Sequence, residues 1–125
     1  MCIRDRYGSE QVFGLFADEH LRDTNTPENH ITEPSIKEML EFSVNRSKNF
    51  IMNGCNGFFV MAEASQIDWA GHGNDYEYLM REMLDLEEGI KWALEFAKKN
   101  DDTLVIVTAD HELSLIHISE PTRPC

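Results

Sequence analysis

Basic residues are scarce in this chain. Its 125 residues include 11 lysines and arginines against 23 aspartates and glutamates, a formal charge of -12 with histidine neutral. So acidic a surface repels a phosphate backbone, which excludes a nucleic-acid footprint. Long apolar runs are absent as well: no stretch approaches the ~20 residues of a membrane-spanning helix, and no signal-peptide pattern opens the chain. Internal repeats and low-complexity linkers are missing too. With 42% hydrophobic and 27% charged residues, the composition is that of about one globular domain. The acidic excess is compatible with metal cations, because carboxylates are hard oxygen donors.

Cysteine is sparse, and two of the three cysteines stand in termini that do not read as protein. Met1-Cys2-Ile3-Arg4-Asp5-Arg6 back-translates to a DNA string whose reverse complement encodes Leu-Ser-Leu-Ile-His, the residues at Leu113-Ser114-Leu115-Ile116-His117. One inverted element therefore accounts for both ends. It resembles the end of a transposase-based sequencing adapter, and Ile118 to Arg123 resembles that adapter's continuation. We expect residues 1–6 and 113–125 to be adapter-derived and residues 7–112 to be an internal slice of a larger gene product. Setting aside Arg4, Arg6, Arg123, Asp5 and Glu120 leaves 8 basic and 21 acidic residues, net -13. Cys55 is then the one cysteine of the natural segment, a count that carries no information on redox compartment.

Within that segment, apolar runs alternate with helical periodicity. Gln11 to Phe16 reads as a short buried strand, followed by a polar loop from Asp18 to Glu33. Pro34 suits a first helical turn, with Thr32 as candidate cap, and Ile36, Met39, Leu40 and Val44 predict a helix to about Lys48. Asn53-Gly54 and Asn56-Gly57 are turn signals. Phe58 to Ala62 reads as a strand buried on both faces. From Asp75 to Lys99 the pattern is again helical, with Leu79, Met83, Leu86, Ile90, Ala93 and Ala97 in one stripe that Gly89 interrupts at a cost of about 1 kcal/mol against alanine. After the turn at Asn100-Asp101-Asp102, Leu104 to Ala109 reads as a further buried strand. The order β-α-β-α-β predicts an α/β fold: part of a parallel sheet with right-handed crossover helices.

The residues that carry chemistry cluster after two of these strands. Open α/β sheets bind ligands beyond the carboxyl ends of their strands. Glu63 follows the strand beginning at Phe58, and Asp110, His111 and Glu112 follow the strand ending at Ala109. Asp68 and His72 are spaced to share a face if one helical turn links them. Each feature alone has an ordinary explanation: a cap, a surface pair or a polar turn. Together they offer mixed oxygen and imidazole donors, which suit zinc, and oxygen donors, which suit magnesium. Paired divalent ions clamp the attacking and leaving oxygens of a phosphoryl transfer and would reconcile an acidic chain with an anionic substrate. His20 and His30, in the polar loop, read as solvated, and Trp69 and Trp92 as packing residues.

The stretch from Phe58 to His72 (FFVMAEASQIDWAGH) resembles a signature of the alkaline phosphatase family, as does Thr103 to Glu112 (TLVIVTADHE) with Leu94 to Lys99 leading into it. Val12 to Ala17 is similar to the family's strand before the loop. The resemblance covers nearly all of residues 7–112. It implies that Glu63 is a magnesium ligand, that Asp68 and His72 serve one zinc ion, and that Asp110 and His111 serve a second. It gives no role to Glu112 and does not make Ser65 a nucleophile. The family's nucleophilic serine, a neighbouring aspartate ligand, a threonine ligand, a phosphate-binding arginine and a further histidine ligand have no counterpart here.

The resemblance therefore implies a parent enzyme that hydrolyses phosphomonoesters through a phosphoserine intermediate with two zinc ions and one magnesium ion. It also implies export to the periplasm or cell surface and a parent able to form a homodimer. The slice itself is expected to be inactive. Two other readings remain open: another member of the superfamily (a phosphodiesterase, phosphomutase or sulfatase), distinguished by its nucleophile, or a metal-binding homologue that has lost catalysis.

Overall fold

Ser35 starts the first helix. Its backbone amide donates to Glu38 Oε2 at 2.9 Å, and the Glu38 amide donates back to Ser35 Oγ at 3.2 Å. This reciprocal capping box satisfies two of the amides that a helix start leaves open. The cap is thus Ser35, one residue past Pro34, and not Thr32, which lies outside the described residues. The computed structural model describes residues 12–24, 33–52 and 54–111. Residues 1–6 and 113–125, read above as adapter-derived, lie outside them, as do Gln11, His30 and Glu112.

Three helices follow in order: α1 Ile36–Met52, α2 Gln66–His72 and α3 Tyr76–Lys98. Helix α1 runs four residues past the expected Lys48. It closes on Gly54, whose φ of 97° is the left-handed conformation that glycine adopts without steric cost. The Gly54 amide donates to the Ile51 carbonyl at 2.9 Å and the Cys55 amide to the Phe50 carbonyl at 3.0 Å, the paired bonds of a Schellman ending. Cys55 is buried.

Helix α3 packs against both α1 and α2. The closest approach is at Gly89, which is buried on α3: a Cβ placed there would lie 2.9 Å from Ile36 Cγ2 and 3.3 Å from Leu40 Cδ1. What reads in the sequence as a flaw in helix propensity is the point where α1 crosses α3. The crossing also caps α1, because the Ile36 amide donates to Asp85 Oδ2 of α3 at 3.2 Å. Further along α3, Trp92 and Phe96 stack with ring centroids 5.7 Å apart, and Lys48 Nζ of α1 lies 4.5 Å above the Phe96 ring.

The expected parallel sheet is not what forms. Among the described residues there are three helices and no strand. The runs Phe58 to Ala62 and Leu104 to Ala109 carry neither helix nor ladder; Phe59 is 87% exposed and Leu104 81%. A strand exists only through hydrogen bonds to a neighbour, and an apolar run does not supply one. Phe58 of the first run stands edge-on to Phe96 of α3, with ring centroids 6.5 Å apart. The run Val12 to Phe16 is likewise exposed and without a strand.

Of the stripe expected on α3, Leu79, Leu86, Ile90, Ala93 and Ala97 are half-buried and Met83 is the exception. Met83 faces outward, and the buried side chain one position earlier is Glu82. Its Oε1 accepts the Thr24 amide at 2.9 Å, so Thr24 is tied to α3 by a buried carboxylate. Arg81 Nη2 meets Asp23 Oδ2 at 3.3 Å, and the Arg22 amide donates to buried Glu33 at 2.6 Å. These polar bonds tie Arg22 to Glu33 and residues 23 and 24 to α3.

Candidate metal centre

Helix α2 is only seven residues long, and its first-turn neighbour Ser65 makes no side-chain cap. So short a helix is marginal by itself, so its form is set by what it touches. Ala70 and Gly71 are buried against the rest of the chain. The C-terminal end is fixed by a second Schellman ending, in which the Asn74 amide donates to the Gly71 carbonyl and the Asp75 amide to the Ala70 carbonyl, both at 3.0 Å. Asn74 has φ 52°, a left-handed position that asparagine tolerates. Asp75 then caps α3 at once, its side chain accepting the Tyr78 amide at 2.9 Å.

This construction sets Asp68 and His72 one turn apart on one face, with His72 the last residue of the helix. His72 Nε2 is 3.6 Å from Asp68 Oδ1. From beyond the second apolar run, His111 Nε2 comes within 3.4 Å of the same oxygen. Asp68 Oδ1 is fully buried and has no hydrogen-bond partner, although the side chain as a whole is 34% exposed. A buried carboxylate oxygen left unbonded is costly, and two imidazole nitrogens flank this one.

The other two expected ligands stand differently. Asp110 is 92% exposed in its side chain; Oδ1 accepts the His111 amide at 3.0 Å, and Oδ2 is 3.7 Å from His111 Nε2. It therefore steadies His111 from the rim. Glu63 is exposed and joins none of these contacts. Among the described residues, no three histidine, cysteine or acidic side chains close into a cage ready to hold a metal ion. One carboxylate oxygen and two imidazole nitrogens do stand near one another here, donor types that zinc takes, without closing a site. Magnesium needs several oxygens at one point, and the lone exposed Glu63 does not fit it.

Two features around α2 escaped the sequence reading. His20, expected in solvent, is exposed, but its ring stands edge-on to Trp69, with centroids 4.2 Å apart. Gln66 is the second. Its Nε2 donates to the Leu21 carbonyl at 2.5 Å, and its Oε1 accepts from the Tyr78 hydroxyl of α3. Burial pushes the Tyr78 phenol up to about 12, helped by the charges of Glu82, Asp23 and Asp75, so it keeps the proton it donates. Neither residue belongs to a metal-ligand pattern, and only the fold brings their partners near.

A model of the alkaline phosphatase family matches residues 3–122. Among relatives, alkaline phosphatase 4 of Bacillus subtilis (strain 168) is 46% identical over 107 residues, covering 82% of this chain and 21% of that protein. Alkaline phosphatase 3 of the same organism is 46% identical over 101 residues, 81% of this chain and 21% of its own length. Alkaline phosphatase of Escherichia coli (strain K12) is 38% identical over 101 residues, 81% and 20%. No solved structure matches. The chain belongs to the alkaline phosphatase family, and it spans about a fifth of the length of the relatives it matches.

Proposed function

We propose that this chain is part of a metal-dependent alkaline phosphatase that hydrolyses phosphomonoesters, and that Asp68, His72 and His111 are donors to zinc in it. The observation that carries the reading is the buried Asp68 Oδ1, which lacks a hydrogen bond and sits 3.4 and 3.6 Å from two imidazole nitrogens. A cation between these groups would satisfy the oxygen and take imidazole nitrogens as ligands.

In this reading a bound zinc ion supplies positive charge to the phosphoryl group undergoing transfer. Asp68 stands within 3.4 and 3.6 Å of the His111 and His72 imidazoles, and Asp110 accepts the His111 backbone amide. A second zinc ion with Asp110 and a phosphoserine intermediate belong to the same proposal. They rest on the signature motifs, and the nucleophile has no counterpart in this chain. The chain alone is accordingly proposed to bind metal without turning over substrate.

Titration of the metal-free 125-residue chain with zinc against a chromogenic chelator tests the site. The reading expects saturable binding that Asp68→Ala abolishes. Binding that Asp68→Ala leaves intact would contradict it.

A further inference from the structure

Two asparagine–glycine pairs follow α1, and their glycine amides stand in different surroundings. The Gly54 amide donates to the Ile51 carbonyl at 2.9 Å, and its φ of 97° fixes the glycine in the Schellman ending. Asn53 lies outside the described residues, but the Gly54 amide does not. Asn56-Gly57 comes past that ending, where the chain is neither helix nor strand, and both residues are exposed. A Cβ built on Gly57 would meet no atom within 4 Å. Among the described residues, no hydrogen bond engages the Gly57 amide.

This difference has a chemical consequence. The side-chain amide carbon of asparagine is an electrophile, and the backbone nitrogen of the next residue is the nucleophile tethered beside it. Attack requires that nitrogen to shed its proton and swing toward Cγ. Glycine in the second position leaves the approach open, because it has no Cβ and a permissive backbone. An N–H already held in a hydrogen bond reacts only while that bond is open. Exposure does not separate the two pairs, since Gly54 is exposed as well. The hydrogen bond does.

We infer that Asn56 is a site of spontaneous deamidation, and that the hydrogen bond of Gly54 protects Asn53 from the same reaction. The Gly57 nitrogen forms a bond to Asn56 Cγ and gives up its proton. The Cγ–Nδ2 bond breaks, and Nδ2 leaves as ammonia with that proton. The product is a cyclic imide, which water opens at one of its two carbonyl carbons. One opening gives aspartate; the other gives isoaspartate, with the main chain routed through Cγ. Water is the only co-reactant, and no metal takes part. Either product adds a negative charge to a chain already at -12. Isoaspartate also lengthens the backbone between buried Cys55 and Phe58, whose ring stands edge-on to Phe96.

The test holds the 125-residue chain at mildly alkaline pH, once folded and once in urea, and follows both asparagines by peptide mapping with mass spectrometry. Enzymatic methylation distinguishes isoaspartate from aspartate. In the folded chain, Asn56 is expected to convert at least about tenfold faster than Asn53. In urea, where the Gly54 bond is lost, the two rates are expected to agree within about threefold. Because a Cβ on Gly57 meets nothing, Gly57→Ala is expected to fold as the parent does. It should slow conversion of Asn56 by at least about tenfold.

Equal rates at Asn53 and Asn56 in the folded chain overturn the inference. So does an Asn56 that stays intact there. The same difference persisting in urea overturns it as well, because the local sequence, and not the Gly54 bond, would then explain it.

Discussion

Gly89 and Ile36 meet where two helices cross, and the space between them has no room for a methyl group. A Cβ on Gly89 would stand 2.9 Å from Ile36 Cγ2. Ile36 is β-branched and stiff at χ1, so its Cγ2 cannot yield cheaply, and Leu40 Cδ1 also lies within 3.3 Å. In an exposed helix, alanine would gain about 1 kcal/mol over glycine. Overpacking costs about 1–3 kcal/mol, so Gly89→Ala is expected to be destabilising by up to about 2 kcal/mol, and Gly89→Val by more. Urea unfolding measures both; a clear gain in stability for Gly89→Ala would contradict the crossing as described.

Loss of the Ser35 cap should weaken α1. Ser35→Ala removes the oxygen that accepts the Glu38 amide and is expected to lower stability by about 1 kcal/mol. The Ser35 backbone and side-chain hydrogen bonds hold the Glu38 carboxyl below its usual range. A carboxyl lowered in the folded state contributes stability that is present above its ordinary value of 4.5 and is lost as pH falls through the folded value. Acid unfolding of Ser35→Ala should therefore show a smaller loss on acidification than that of the parent. An unchanged difference from pH 7 down to pH 3, by roughly constant unfolding midpoints, would contradict the box.

Glu82 runs the opposite way. Burial, the largest influence, raises its carboxyl above the usual 4.5, against the pull of the Thr24 bonds. The folded state then holds the proton more tightly than the unfolded chain. Its penalty is absent below the ordinary value and grows as pH rises through the raised one. Glu82→Gln keeps an acceptor for the Thr24 amide and should gain on the parent as pH is raised from about 4 to 7. Glu82→Ala leaves that amide unbonded and is expected to cost about 1–3 kcal/mol. A stability difference between Glu82→Gln and the parent that ignores pH would contradict the assignment.

What the sequence discloses and what it hides follow from what each feature depends on. Local periodicity exposes α1 and α3 because Ile36, Val44 and the 79–97 pattern repeat at the helical period. The Asp68–His72 spacing survives for the same reason, as one turn links them. The approach of His111 to Asp68 depends on chain path, and no local pattern encodes it. The apolar runs at Phe58 and Leu104 mislead because apolarity records a demand for burial, whereas a strand needs a bonded neighbour. Glu82 and Gln66 are hidden too: a glutamate on a helix reads as solvent-facing until a loop amide is found against it. Gly89 reads as a weak point until its neighbour is known.

The most direct test of the central claim is phosphomonoester hydrolysis and zinc content in the full-length parent, comparing the unmodified protein with Asp68→Ala. The account predicts that the variant loses zinc and that its hydrolysis of p-nitrophenyl phosphate falls by on the order of 100-fold or more, with metal removal reproducing the loss in the unmodified enzyme. Unchanged turnover and full zinc occupancy in Asp68→Ala would contradict it.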